Sequence, residues 1–122
     1  MGPIDDTDLA RATAALRSEH DALLAALRSA EKDLADVREL RADAVDDEHD
    51  PEGSTLSSDW SRIFGLRDAT VERLAATERA LERIEAGTYG TCLRCGRSIA
   101  AGRLVARPAA EYCIDCARAL GQ

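Results

Sequence analysis

Aromatic side chains are almost missing from this 122-residue chain, which has one Trp, one Phe and two Tyr. Strands favour aromatic and β-branched residues, so this scarcity argues against a sheet-built core. Long apolar runs are lacking too. No stretch approaches the roughly 18 apolar residues of a membrane span, and residues 1–6 have neither the basic nor the apolar region of a secretory signal. The expectation is a cytoplasmic protein without membrane contact. No nucleophile, base and orienter arrangement or phosphate-binding glycine loop is visible, so an enzyme is not expected.

Basic residues are in deficit over most of the chain. Residues 1–86 carry 11 basic and 21 acidic side chains, whereas residues 87–122 carry 5 and 2, within a net charge of -7. Phosphate backbones repel such an acidic body, so sequence-specific DNA binding is not expected; a basic protein surface fits better.

What is abundant is Ala, Leu, Arg, Glu and Asp, the composition of long helices and coiled coils. A heptad series runs Leu9, Leu16, Leu23, Ala30, Val37, Ala44, with Thr13, His20, Leu27, Leu34 and Arg41 at the alternate seam position. With Asp5, Asp6 or Thr7 as N-cap, this predicts helix one over about 7–45. A second series, Leu56, Trp60, Ile63, Arg67, Thr70, Leu74, Thr77, Leu81, Ile84, starts after Gly53-Ser54 and stops at Gly87, predicting helix two over about 55–86. The short connection containing Pro51 and Gly53 permits only an antiparallel turn. The fold class is therefore mainly α, a long antiparallel helical hairpin. Polar residues interrupt both seams, so mutual packing supplies the stability, and a hairpin that pairs its own seams predicts a monomer. Trp60 and Phe64 read as packing near the turn end, Gly65 as local looseness or close packing, and His20 as a packed seam imidazole.

Periodicity ends at Gly87, dividing the chain into a hairpin over 1–86 and a separate module over 87–122. About 36 residues with few large apolar groups need a staple. Cys92, Cys95, Cys113 and Cys116 form two CxxC pairs seventeen residues apart, a zinc-ribbon spacing, and in a reducing compartment such pairs favour metal over disulfides. Two tight turns then offer four thiolates to one zinc ion, and Gly96 suits the positive φ of the first turn. No ligand position remains open, so the zinc is structural. Arg94, Arg97 and Arg118 are placed to offset its charge. Between the pairs, Ile99, Leu104, Val105 and Tyr112 suggest a short hairpin, and residues 115–120 a short closing helix.

These residues resemble the DksA/TraR family of bacterial RNA polymerase regulators. The resemblance lies in ALERI at 80–84, GTYGTCLRCG at 87–96, RLVARP at 103–108 and YCIDC at 112–116. It implies a protein that inserts its coiled coil into the secondary channel of RNA polymerase, with an acidic tip near the catalytic centre and the globular part on the channel rim. The tip would be residues 46–53, where Asp46, Asp47, Glu48, Asp50 and Glu52 place five carboxylates in seven residues. By themselves they read as a solvated acidic loop; the resemblance makes them, with His49, partner-binding candidates. Of the family's tip pattern Asp-x-x-Asp-x-Ala, Asp50 keeps the first position, with Gly53 and Thr55 at the later ones; Asp47 with Asp50 gives a second register. Relatives that bind guanosine tetraphosphate use basic residues on helix two and beyond the last cysteine; on that face of helix two this chain offers Ala69, Arg73 and Ala76, so nucleotide dependence is not expected. The alternatives are a zinc-stapled coiled-coil adaptor for another protein and a thiol redox sensor.

Overall fold

The computed structural model describes residues 3–44 and 52–122. Four helices follow in order: α1 (Asp6–Ala44), α2 (Glu52–Ala86), α3 (Ala101–Ala106) and α4 (Ile114–Ala119). Helix α1 starts where its cap predicts, since the Asp5 carboxylate accepts from the Asp8 N–H at 2.7 Å, satisfying one of the free donors of the first turn. Helix α2 starts three residues earlier than expected and takes in Gly53 and Ser54. First-turn N–H groups need no intrahelical partner, so poor helix formers cost less there than in the interior. The end at Gly87 follows the reading. With Gly87 at φ 75°, its N–H reaches the Ile84 carbonyl at 3.2 Å and the Thr88 N–H reaches that of Arg83 at 2.9 Å, a Schellman closure.

The two long helices run antiparallel as a coiled coil. His20 lies opposite Glu78, Glu31 opposite Arg67 and Arg38 opposite Trp60. From Glu31 to Arg38 is seven residues forward on α1 and, from Arg67 to Trp60, seven back on α2. Within the Ala22–Leu74 part of the hairpin, the two pairs Glu31–Arg67 and Arg38–Trp60 share one register.

The chain divides into two compact units, one of Met1–Asp21 with Ala75–Gln122, the other Ala22–Leu74. In the second, Leu34, Val37 and Ile63 form a small buried cluster flanked by Ala30, Leu56 and Trp60, all seam positions. Trp60 stacks on Phe64 with ring centroids 6.3 Å apart, and the Arg38 guanidinium lies 5.5 Å from the Trp60 ring. Phe64 itself stays largely exposed. A Cβ added at Gly65 would meet nothing within 4 Å, so close packing does not explain this glycine.

The first unit holds the larger core. Ala12, Leu16, Ala80, Tyr89, Cys92, Ile99, Leu104 and Cys116 pack together, with Ile4, Leu9, Leu81 and Ile84 against them. Ala12 and Ala80 are not seam positions. They are buried because residues beyond Gly87 cover a further face of the helix pair, and small side chains at these points let that layer approach closely. His20 is half-buried, with Nε2 3.4 Å from Glu78 Oε1.

The expected hairpin between the cysteine pairs does not form among the described residues; a single antiparallel bridge, Thr91 to Ser98, instead closes around the first pair. Leu104 and Val105 belong instead to α3, and only Leu104 turns inward; Val105 remains exposed. One turn of helix buries one of two adjacent residues. The closing helix is present as α4, from Ile114 rather than Asp115. No helix among the described residues is long and apolar enough to cross a membrane.

Candidate metal centre

Local hydrogen bonding presents each cysteine pair. In the first turn the Cys92 N–H donates to the Arg97 carbonyl at 2.8 Å, and the Gly96 N–H returns to the Cys92 carbonyl at 3.0 Å, with Gly96 at φ 75° as its turn requires. The second pair sits at the start of α4, where Cys113 is the N-cap and its carbonyl accepts from the Ala117 N–H at 2.9 Å. A bond from the Leu93 N–H to the Glu111 carbonyl, 2.9 Å, ties the first turn to the chain leading into the second.

As a result, the four Sγ atoms of Cys92, Cys95, Cys113 and Cys116 lie within 4.8 Å of one another. Cys95 and Cys113 sulfurs are 3.9 Å apart. Tetrahedral zinc with bonds of about 2.3 Å needs sulfurs about 3.8 Å apart, so the set fits that ion. Cys92 and Cys116 are buried, Cys113 half-buried and Cys95 exposed. These four residues form a structural zinc site.

The thiols' own chemistry agrees. For Cys92, burial works against ionisation, but N–H groups of Cys95, Cys113 and Arg94 outweigh it and bring the thiol down to about 6. Cys116 is pushed up to about 12, by its hydrogen bond to Cys113 first and then by burial, with Arg94 opposing. Sulfurs this close compete for ionisation as like charges do, and a coordinated divalent cation resolves the conflict by holding all of them as thiolates.

Around the site, Tyr89 is buried and its hydroxyl donates to the Pro108 carbonyl at 2.8 Å. Burial also raises its phenol above the usual range. Glu111 faces α2, with Oε1 3.0 Å from Arg79 Nη2 and Oε2 3.8 Å from Arg83 Nη1. That Glu111 hydrogen bond, chiefly, raises the Arg79 guanidinium above its ordinary value. The Arg79–Glu111 pairing was absent from the sequence reading; its only trace there is two arginines four apart near the end of α2 and one of the two acids beyond Gly87. Of the tip candidates, Asp46, Asp47, Glu48, His49 and Asp50 lie outside the described residues, and Glu52 is described only as the first residue of α2.

A helical hairpin carrying a four-cysteine finger defines a class of small zinc-finger proteins. Residues 87–120 match the family model of the prokaryotic dksA/traR C4-type zinc finger. The chain is 46% identical over 55 residues to an uncharacterized protein of Aquifex aeolicus, covering 45% of this chain and 38% of that one. It is 33% identical over 63 residues to the RNA polymerase-binding transcription factor DksA of Haemophilus influenzae, covering 52% and 43%. With the DksA of Escherichia coli the figures are 29% over 96 residues, covering 77% and 64%. The chain thus spans less than two thirds of the length of these curated relatives. The structure of transcription factor DksA2 from Pseudomonas aeruginosa superposes with a TM-score of 0.79 at 21% identity, over 96% of this chain and 85% of that one, which is a likeness of fold. Residues 87–120 thus carry a zinc finger of the dksA/traR type.

Proposed function

We propose that this protein is a non-enzymatic transcription regulator that binds bacterial RNA polymerase through its secondary channel. The hairpin, residues 1–86, enters; the acidic tip, residues 46–53, lies near the polymerase active site; and residues 87–122, stapled by zinc, form the base. The observation that carries this reading is the dksA/traR finger match at 87–120, directly after the end of a long antiparallel hairpin. No sequence-specific DNA contact is needed, in keeping with the net charge of -7. The site of action is the bacterial cytoplasm, where polymerase works, and the protein acts as a monomer.

Titration of core polymerase with the fluorescently labelled protein tests the association. Transcription from a purified promoter template, with the parent and with the triple variant Asp47→Asn, Asp50→Asn, Glu52→Gln, tests the tip. The parent is expected to bind and to change initiation, and the triple variant to lose that change. Absence of binding by the parent refutes the reading, whereas an undiminished effect of the triple variant refutes only the tip's role.

A further inference from the structure

Just ahead of α1 the chain touches the finger. Ile4 packs against the core that holds Tyr89, Ile99, Leu104 and the zinc ligands Cys92 and Cys116. A Cβ added at Gly90 would lie 3.3 Å from Ile4 Cγ2 and 3.5 Å from Leu104 Cδ1, so the Ile4 methyl rests close on the backbone two residues before the first ligand. We infer that Ile4 is a strap between the first turn of α1 and the zinc finger: each stabilises the other, and lifting the strap loosens the metal.

Both ends of the strap are anchored. Asp5 caps α1, its carboxylate accepting from the Asp8 N–H at 2.7 Å and its carbonyl from the Leu9 N–H at 2.9 Å. With Asp5 as N-cap, Ile4 and Leu9 occupy the two places at which apolar residues staple a helix start and fix the direction of chain entry. Leu9 packs on the same core. On the finger side, Gly90 has φ 89°, and its carbonyl accepts from the Ile99 N–H at 2.7 Å, next to the Thr91–Ser98 bridge that closes around Cys92 and Cys95. Ile4 therefore presses on the frame of the first ligand turn.

The layer around this contact is not closed. Ile4, Asp8, Arg11, Leu104 and Val105 border a groove of about 230 Å³, so packing between the start of α1 and α3 is incomplete and the Ile4 contact has little behind it. Metal binding in so small a module is also folding free energy, so a loosened frame shows as faster metal loss. Coupling of this kind is reciprocal: what zinc gains from the strap, the first turn of α1 gains from zinc.

Zinc transfer from the loaded full chain to a chromogenic chelator tests the strap, and no polymerase is involved. Ile4→Ala is expected to release zinc roughly tenfold faster than the parent, with Ile4→Val between the two. Ile63→Ala truncates the core of the Ala22–Leu74 unit instead and is expected to release zinc at the parent rate. In the other direction, chelation should speed hydrogen exchange at the Leu9 amide more than at that of Val37. Parent-like release by Ile4→Ala, or equal acceleration by Ile63→Ala, overturns the inference. Leu9 exchange indifferent to zinc does so too. Should Ile4→Ala fail to fold, the milder Ile4→Val carries the comparison.

Discussion

Arg79 holds Glu111 with two nitrogens, Nη2 at 3.0 Å and Nε at 3.4 Å from its carboxylate oxygens, and so joins the last turns of α2 to the segment that enters the second cysteine pair. The same carboxylate faces Arg83, whose Nη2 is buried with no hydrogen-bond partner among the described residues.

Glu111→Gln removes the charge but keeps the shape. Because Arg79 is half exposed, its share is small, about 0.5 kcal/mol. The larger part comes from Arg83, left buried without its counter-charge, at roughly 1–3 kcal/mol. Urea unfolding should show the midpoint falling; an unchanged midpoint means the carboxylate contributes nothing net.

Zinc removal should unfold the finger. One zinc per chain is expected in metal analysis, and Cys113→Ser should lose it. With a strong chelator, amide protection at Ile99 and Leu104, both about 1% exposed, should collapse, since metal binding in such small modules supplies folding free energy. Protection retained without metal contradicts a stapling role.

Gly65→Ala should stabilise. An added Cβ meets nothing within 4 Å, and alanine is favoured over glycine in a helix interior by about 1 kcal/mol. Thermal melting followed through Trp60, the sole tryptophan, reads this out; a lower Tm would show that the glycine is needed for something other than space.

Tyr89 gives the protein an alkaline limit. Burial raises the phenol, so the folded state resists its ionisation. The stabilisation is complete below the unfolded phenol value of about 10 and is lost as pH rises through the higher folded value. Tyr89→Phe should cost about 1 kcal/mol at neutral pH through the lost bond to Pro108, and should lose less stability than the parent between pH 10 and 11. Parallel pH profiles for the two proteins would refute this.

The zinc ligands were legible because their spacing alone brings four sulfurs together, and the seam because heptads report a face directly. Leu16, Leu23, Leu34, Val37, Ile63, Leu74 and Thr77 are all buried as that pattern requires. Ala12 and Ala80 escaped it, because what buries them is a layer supplied from elsewhere in the chain. Leu104 and Val105 misled for a related reason. Adjacent apolar residues fit a strand or a single helical turn equally well, and only the packing of Leu104 against Tyr89 and Ile99 decides. The Arg79–Glu111 pair has no local signature because its partners are 32 residues apart.

The common register of Glu31 with Arg67 and Arg38 with Trp60 makes the Ala22–Leu74 part of the hairpin a ruler graduated in heptads. Cutting residues 24–30 from α1 and 68–74 from α2 together removes facing segments of equal length, leaving every remaining seam residue opposite its old partner. The arm would shorten by about 10 Å per heptad while keeping its faces. How far such a protein reaches is thereby a quantity that can be edited separately from what it carries at either end.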